Sequence, residues 1–350
     1  MVFLLCIIFF LLIIRMLLNL EKDKNKKIFV LVAGTIGFFF SAFKSVGFTS
    51  DTISYANYYE SIGLVTFREL FQELFNGSGK DTFYFITSKF FSMLGFSTFA
   101  WFGLISLFFM ISISFFIYKY SKEPFLSFVV LIALDYFYFS MTGYRQAIAM
   151  SILLFAYYFF DKGKNLKFFV LVLFASLYHL SALLFLLIYI ISKVKVNYWS
   201  LILIPVIYGL GYYGAPIIME FWNRVVPFQY RIYGEGGALL NLSGFIIQSC
   251  ILTFVVLLKK NLLINEPKYQ KMIVILFWAL LMQIFATFAF AEFFRVSYYF
   301  SIFTIILIPS VIYYLGKEKV YMYIGVFVIL VTYIFISTGR FVEFYNFFWQ

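Results

Sequence analysis

The sequence predicts an all-helical, polytopic membrane protein. Three observations predict it. The 350 residues are 64% hydrophobic and 12% charged, whereas soluble domains carry about a quarter charged residues. Apolar stretches long enough to cross a hydrocarbon core of about 30 Å recur along the chain. Lysine gathers in alternate connections between them, as it does in cytoplasmic loops.

Taken in order, crossings are expected near 2–20, 28–48, 98–118, 124–142, 145–160, 199–219, 242–258, 272–291, 295–315 and 320–338, about ten in all. The first lacks the basic leader region and small-residue cleavage site of a signal peptide, so it reads as a retained helix. After the second comes an outward segment, about 49–97. Within it, 64–76 and 83–95 read as amphipathic helices lying at the interface, the latter through Phe83, Ile86, Phe90 and Leu94. The NGSGK run at 76–80 turns between them.

Residues 168–192 have lysine on both flanks, Lys162, Lys164 and Lys167 before and Lys193 and Lys195 after. Both flanks belong in the cytoplasm, which one crossing would forbid. The segment therefore reads as a re-entrant hairpin with arms 168–178 and 181–192, each too short to span, turning at YHLS with His179 at the tip. One tilted helix with a core histidine is the alternative. A second outward loop follows at about 220–241, and the whole chain, 1–350, reads as a single transmembrane domain.

Composition also excludes function classes. Cys6 and Cys250 sit in apolar runs without metal or redox spacing. His179 is the single histidine, so a transition-metal centre is not expected. No phosphate-binding glycine loop or dinucleotide fingerprint occurs. The net charge of +11 divides by membrane side and does not point to nucleic acid. The 52 Phe and 28 Tyr read as lipid contact and interfacial anchoring.

The basic residues separate by type. On this topology seventeen of twenty lysines lie inside, while six of seven arginines, Arg68, Arg145, Arg224, Arg231, Arg295 and Arg340, fall outside or at the border; Arg15 does not. The positive-inside rule treats the two types alike. Guanidinium differs in offering a planar fork of donors matched to phosphate or carboxylate while staying charged when partly desolvated. Arg145, after Gly143, and Arg295 each begin a helix, where free N–H groups favour anions. The group Arg145, Arg231 and Arg295 points to an anionic ligand at the outer boundary.

Outward carboxylates are more scattered: Asp51, Glu60, Glu69, Glu73, Asp81, Glu220, Glu235, Glu292 and Glu343. In SDTISYANYYE, Asp51 and Tyr55 stand one helical turn apart, a pairing that suits a sugar or an interfacial belt. Gln146 can donate to a sugar, a phosphate or a neighbouring helix. Asp135, inside a span, is expected to make a helix-to-helix hydrogen bond. No outward acidic pair suits a divalent ion holding a diphosphate.

Four stretches in this order, SDTISYANYYE, GYRQAIAMSILLFAYYFF, ASLYHLSALLFL and FFRVSYYF, resemble the EpsG family of bacterial polysaccharide polymerases, akin to the Wzy O-antigen polymerases. The resemblance implies a GT-C-like glycosyltransferase in the bacterial inner membrane. It would join oligosaccharide repeat units carried on undecaprenyl diphosphate at the outer face, without cofactor or metal. It implies Arg145, Arg231, Arg295 and Arg224 on the diphosphate, and Tyr55, Gln146, Tyr144 and Tyr299 on sugar. His179 is the first candidate base and Asp51 the second. The implied partners are lipid-linked oligosaccharide, membrane lipid and a chain-length regulator protein. A lipid-linked oligosaccharide flippase or other transporter is the rival reading, but no internal repeat of the transporter kind occurs; a polysaccharide acyltransferase is the third.

Overall fold

The computed structural model describes residues 2–75, 81–225, 242–288, 293–315, 319–338 and 345–349. Its helices in chain order are α1 (Val2–Leu17), α2 (Asp23–Ala42), α3 (Ser50–Leu64), α4 (Phe67–Phe75), α5 (Thr82–Met93), α6 (Thr98–Tyr120), α7 (Pro124–Ala133), α8 (Tyr136–Thr142), α9 (Tyr144–Asp161) and α10 (Asn165–Tyr178). They continue with α11 (Ile188–Ile191), α12 (Leu203–Val225), α13 (Leu242–Asn265), α14 (Tyr269–Phe288), α15 (Phe293–Ser301), α16 (Thr304–Tyr313) and α17 (Lys319–Thr338).

In their described residues all ten expected stretches carry helix, and six or seven of them are long and apolar enough to cross. Asp23–Ala42, Thr98–Tyr120, Tyr198–Ile217, Leu242–Asn265, Tyr269–Phe288 and Phe293–Tyr313 are long and apolar enough to span, and α7 with α8 makes a seventh if a bent pair counts as one. Shorter apolar helices lie at Leu4–Leu17, Asn165–Tyr178, Leu180–Ile191 and Val320–Tyr333. α9 is diluted by Arg145, Gln146 and Asp161 within its 18 residues.

The bend between α7 and α8 is 57°. It forms where Asp135 takes a left-handed backbone (φ 62°, ψ 7°), a conformation that aspartate tolerates better than most L-residues. The expected hydrogen bond from Asp135 to another helix is not made: among the described residues its carboxyl has no partner. Its visible contribution is the break itself.

The 168–192 segment is interrupted where expected. α10 ends at Tyr178, His179 is extended (φ −157°, ψ 114°), and a 3-10 helix covers Leu180–Leu187. Neither the part before His179 nor the part after it is long enough alone to cross the core.

The chain packs as two compact units, Met1–Leu184 with Val320–Gln350, and Phe185–Lys319. In the first, α6 lies between α2 and α9, and α10 packs on α9. Lipid tails are as apolar as leucine, so helix association in the membrane rests on close packing and on hydrogen bonds between helices. Gly34 and Gly37 supply the closeness: a Cβ at Gly34 would strike Ser114, and one at Gly37 would come within 2.5 Å of Met110. Ser41 bonds Ser106 at 2.9 Å between α2 and α6. On the lysine-rich side, Arg15 faces Glu123 at 3.7 Å and the Tyr120 hydroxyl donates to Asp161 at 3.1 Å.

The 49–97 segment, in its described part, carries the three helices α3, α4 and α5. Thr49 and Thr52 form a capping box that starts α3, and Thr66 with Glu69 does the same for α4; such caps satisfy N–H groups that a helix start leaves open. α3 packs on α5, with the Tyr58 and Phe85 rings 4.5 Å apart. The buried ammonium of Lys89 closes the end of α3 on the Gly63 carbonyl at 3.0 Å.

An unexpected strap lies at the end of α2. Phe347 forms an antiparallel bridge with Lys44; Ser45 N–H donates to Asn346 O at 2.7 Å and Phe348 N–H to Phe43 O at 3.0 Å. The Tyr345 hydroxyl reaches Phe40 O at 2.7 Å, and the Phe348 ring packs against Phe43 and Phe99.

In the second unit, α14 packs against α12, α13 and α15. A cluster of neutral polar groups lies between α13, α14 and α15. Ser297 donates to Gln283 at 3.1 Å, and Gln248 lies 3.4 Å from Ser297. A Cβ at Gly244 would collide with Gln283, so glycine permits the close approach of α13 to α14. Lys259 donates to the Val196 carbonyl.

Candidate active site

Three helix ends of the first unit meet at one carboxylate. Asp81 precedes α5 in a left-handed conformation (φ 57°, ψ 47°), which aims its side chain at α9 and α10. Its Oδ2 forms an ion pair with Arg145 Nη1 at 3.0 Å and lies 2.9 Å from His179 Nδ1. Its Oδ1 accepts from the Leu180 N–H at 3.2 Å. Burial pushes the Asp81 carboxyl up, but the hydrogen bond from His179, the charges of His179 and Arg145 and the Leu180 N–H together outweigh it and hold the group below the usual carboxylate range.

Arg145 stands in the first turn of α9. The turn into that helix needs glycine at 143, because a Cβ there would come within 2.7 Å of the Phe139 ring. Arg145 Nε donates to the Tyr55 hydroxyl at 3.2 Å, and the guanidinium lies 5.5 Å from the Tyr55 ring centre and 5.9 Å from that of Phe85. One of its five N–H donors is thus engaged with Tyr55, the charge is paired with Asp81, and the guanidinium has further donors for a ligand. The side chain is 29% exposed, as is that of His179, against 6% for Asp81.

The tautomer of His179 follows from its partner. In the neutral ring the carboxylate opposite Nδ1 accepts a hydrogen bond, so Nδ1 carries the proton and Nε2 presents a lone pair. Among the described residues nothing bonds Nε2. An acid that orients an imidazole whose far nitrogen is open is the arrangement of a general base.

A second layer lies behind. The Tyr144 hydroxyl accepts from Lys44 Nζ at 2.7 Å. The Tyr144 ring stacks on Phe102 at 4.2 Å and meets Tyr55 edge-on at 5.3 Å. Lys44 lies beyond the end of the α2 span, is 4% exposed and also donates to Ser41 O at 3.3 Å; burial pushes its amine down to about 7.

The expected residues are therefore sorted. His179, Arg145 and Tyr55 come together. Asp51 is half-buried in the first turn of α3, one turn before Tyr55, and it is Asp81 that holds the imidazole. Tyr144 is fully buried and closed in by Phe102 and Tyr55, which leaves no ring face for a sugar; its part is support. Gln146 is buried too, as is Tyr299 in the second unit. Arg224 forms an exposed helix-surface pair with Glu220. Arg295, in the second unit, is half-buried beside Phe294. Arg231 lies outside the described residues.

Two groups escaped sequence reasoning. Asp81 was one acid among nine outward ones, distinguished only by its place between a turn and an amphipathic helix. Lys44 had a stronger signal, being one of the three lysines left on the arginine side with Lys80 and Lys89.

Tyr55, Arg145 and His179 come from the first three of the four stretches that carry the family resemblance. The sequence model of the EpsG family matches residues 26–349, nearly the whole chain. The chain belongs to the EpsG family. No curated protein and no solved structure matches it. EpsG membership together with the apolar helices makes it a multi-pass membrane protein with a polysaccharide-polymerase type of function.

Proposed function

We propose that this EpsG protein is a glycosyltransferase joining undecaprenyl-diphosphate-linked oligosaccharide repeat units at the outer face of the bacterial inner membrane. The observation that carries this reading is the Asp81 cluster, a half-exposed imidazole oriented by a carboxylate beside a guanidinium with donors to spare. The acceptor hydroxyl gives its proton to His179 Nε2 while its oxygen bonds the anomeric carbon of the donor chain. The bond from that carbon to the diphosphate breaks, and its electron pair leaves with undecaprenyl diphosphate.

Each residue has a part in this scheme. Asp81 stabilises the imidazolium that forms on His179. Arg145 donates to the departing phosphoryl oxygens, whose charge grows in a site of low dielectric. Tyr55 fixes the guanidinium and offers its phenol to sugar. Arg295 and Arg231 are the further candidates for diphosphate; Arg224 is the weaker one, because Glu220 already occupies it. The chemistry calls for no cofactor or metal, and the scaffold it implies is GT-C-like.

The test supplies a purified lipid-diphosphate repeat unit to the protein in proteoliposomes. Longer lipid-linked chains and released undecaprenyl diphosphate are expected, with both lost in His179→Ala. Unaltered substrate appearing on the opposite side of the membrane would replace this reading with that of a flippase.

A further inference from the structure

The first unit has a groove of about 310 Å³ between α2 and α6, which shares no lining residue with the Asp81 cluster. Lys27, Leu31 and Thr35 line one wall; Leu107, Ile111 and Tyr118 line the other. Leu31 and Ile111 are 59% and 52% exposed, so the groove opens along the face that a transmembrane pair turns to lipid. Its α2 wall runs from Lys27 to Phe38, about 16 Å of helix, which matches one leaflet of a core about 30 Å thick.

The mouth is cationic. Lys27 lines it, and the Lys26 and Lys119 ammonium groups flank the Tyr118 ring at 5.5 and 5.3 Å from its centre. The Asp23 carboxylate, which accepts from the Tyr118 hydroxyl at 3.1 Å, is the acid held at this place. Lys26 also donates to Ser121 O at 2.7 Å, which leaves Lys27 as the cation facing the groove. The amino end of α2 opens at the same level with no side-chain cap among the described residues, and its N–H groups favour an anion. Deeper in, Ser114 Oγ is buried on the groove wall without a hydrogen-bond partner.

We propose that this groove binds one anionic phospholipid of the cytoplasmic leaflet, with an acyl chain between α2 and α6 and the phosphate on Lys27 and the start of α2. A leaflet-length apolar trough ending in surplus positive charge on the lysine-rich side fits that ligand class. The phenol of Tyr118 supplies a further hydrogen-bonding group at headgroup level. A zwitterionic lipid would fill the trough equally well but would gain less from the mouth, because a cation near an anionic headgroup contributes where a neutral headgroup gives it no net partner.

The experiment is native mass spectrometry of the purified full chain in detergent, titrated with phosphatidylglycerol or with phosphatidylcholine of identical acyl chains. One tightly retained phosphatidylglycerol per protein is expected, with weaker retention of phosphatidylcholine. Lys27→Ala, at an exposed position, should weaken phosphatidylglycerol about fivefold, the worth of one surface cation, and leave phosphatidylcholine unchanged. Thr35→Phe, also exposed, should fill the trough and remove retention of both lipids while the protein stays monodisperse. Equal retention of the two lipids with no response to Lys27→Ala would overturn the headgroup assignment. Retention that survives Thr35→Phe, or a dimer of this chain that dissociates with that substitution, would overturn the groove as a lipid site.

Discussion

The two units solve the problem of polar groups in an apolar protein differently. The first gathers ionisable groups, Asp81, Arg145 and His179, at helix ends where Arg145 and His179 remain 29% exposed. The second uses neutral amides and a hydroxyl, Gln248, Gln283 and Ser297, on the flanks of α13, α14 and α15. A charge is tolerable only where water or a partner reaches it, whereas an amide inside lipid can bond across helices at small cost. The contrast teaches that the first cluster has the exposure and charge that the proposed anionic substrate requires, while the second joins helices.

The comparison is tested most severely at Asp81. Asp81→Ala would leave a guanidinium and an imidazole without their shared acid; breaking such a pair should destabilise by about 3 kcal/mol, the low end for buried pairs because both partners are part-exposed. Chain extension should fall roughly 10²- to 10⁴-fold as the base loses its orientation. Thermal unfolding and product chain length check the two effects separately.

Next in size, Arg145→Lys should lower chain extension on the order of 10²-fold while the protein still inserts, because an ammonium cannot reproduce the fork that meets Asp81, Tyr55 and a phosphoryl group together. Wild-type product lengths from this variant would remove Arg145 from the chemistry.

Of smaller effect, pH should act on the first unit from both sides. The Asp81 carboxyl is lower in the folded than in the unfolded state, so its contribution is full above the unfolded value near 4 and is lost as pH falls through the folded one. The Lys44 amine, lowered to about 7 from 10.5, binds its proton more readily when unfolded, so stability should rise as pH climbs from about 7 toward 10. Melting temperatures across that range should show the rise, and Lys44→Met should flatten it.

The smallest change is expected in the second unit. Gln283→Leu should cost about 1 kcal/mol or less in thermal stability and leave chain extension near wild type. An activity loss comparable with that of Asp81→Ala would end the distinction between a reactive cluster and a structural one.

What was legible in the chain follows the range of the forces involved. Helical architecture could be read because a bilayer imposes a length on every crossing. Arg145 could be read because its type departs from the lysine background, and the break at His179 because two lysine flanks conflict with one crossing. Asp81 could not: its role comes from α9 and α10 arriving at the same point, and no local pattern records that meeting. Lys44 was hidden by the assumption that lysine merely orients the chain. The bend at Asp135 went unseen because an unbroken apolar run carries no mark of one left-handed residue.

The strap at the end of α2 has a consequence for biogenesis. The Tyr345 to Phe40 contact joins positions 305 residues apart, and a ribosome adding about 5–20 residues per second delivers them roughly 15–60 s apart. The nascent chain must therefore carry the Phe43 carbonyl and the Ser45 N–H without their strap partners while the intervening residues are made. Shelter for these two groups until residues 345–348 arrive would govern how readily this rim assembles.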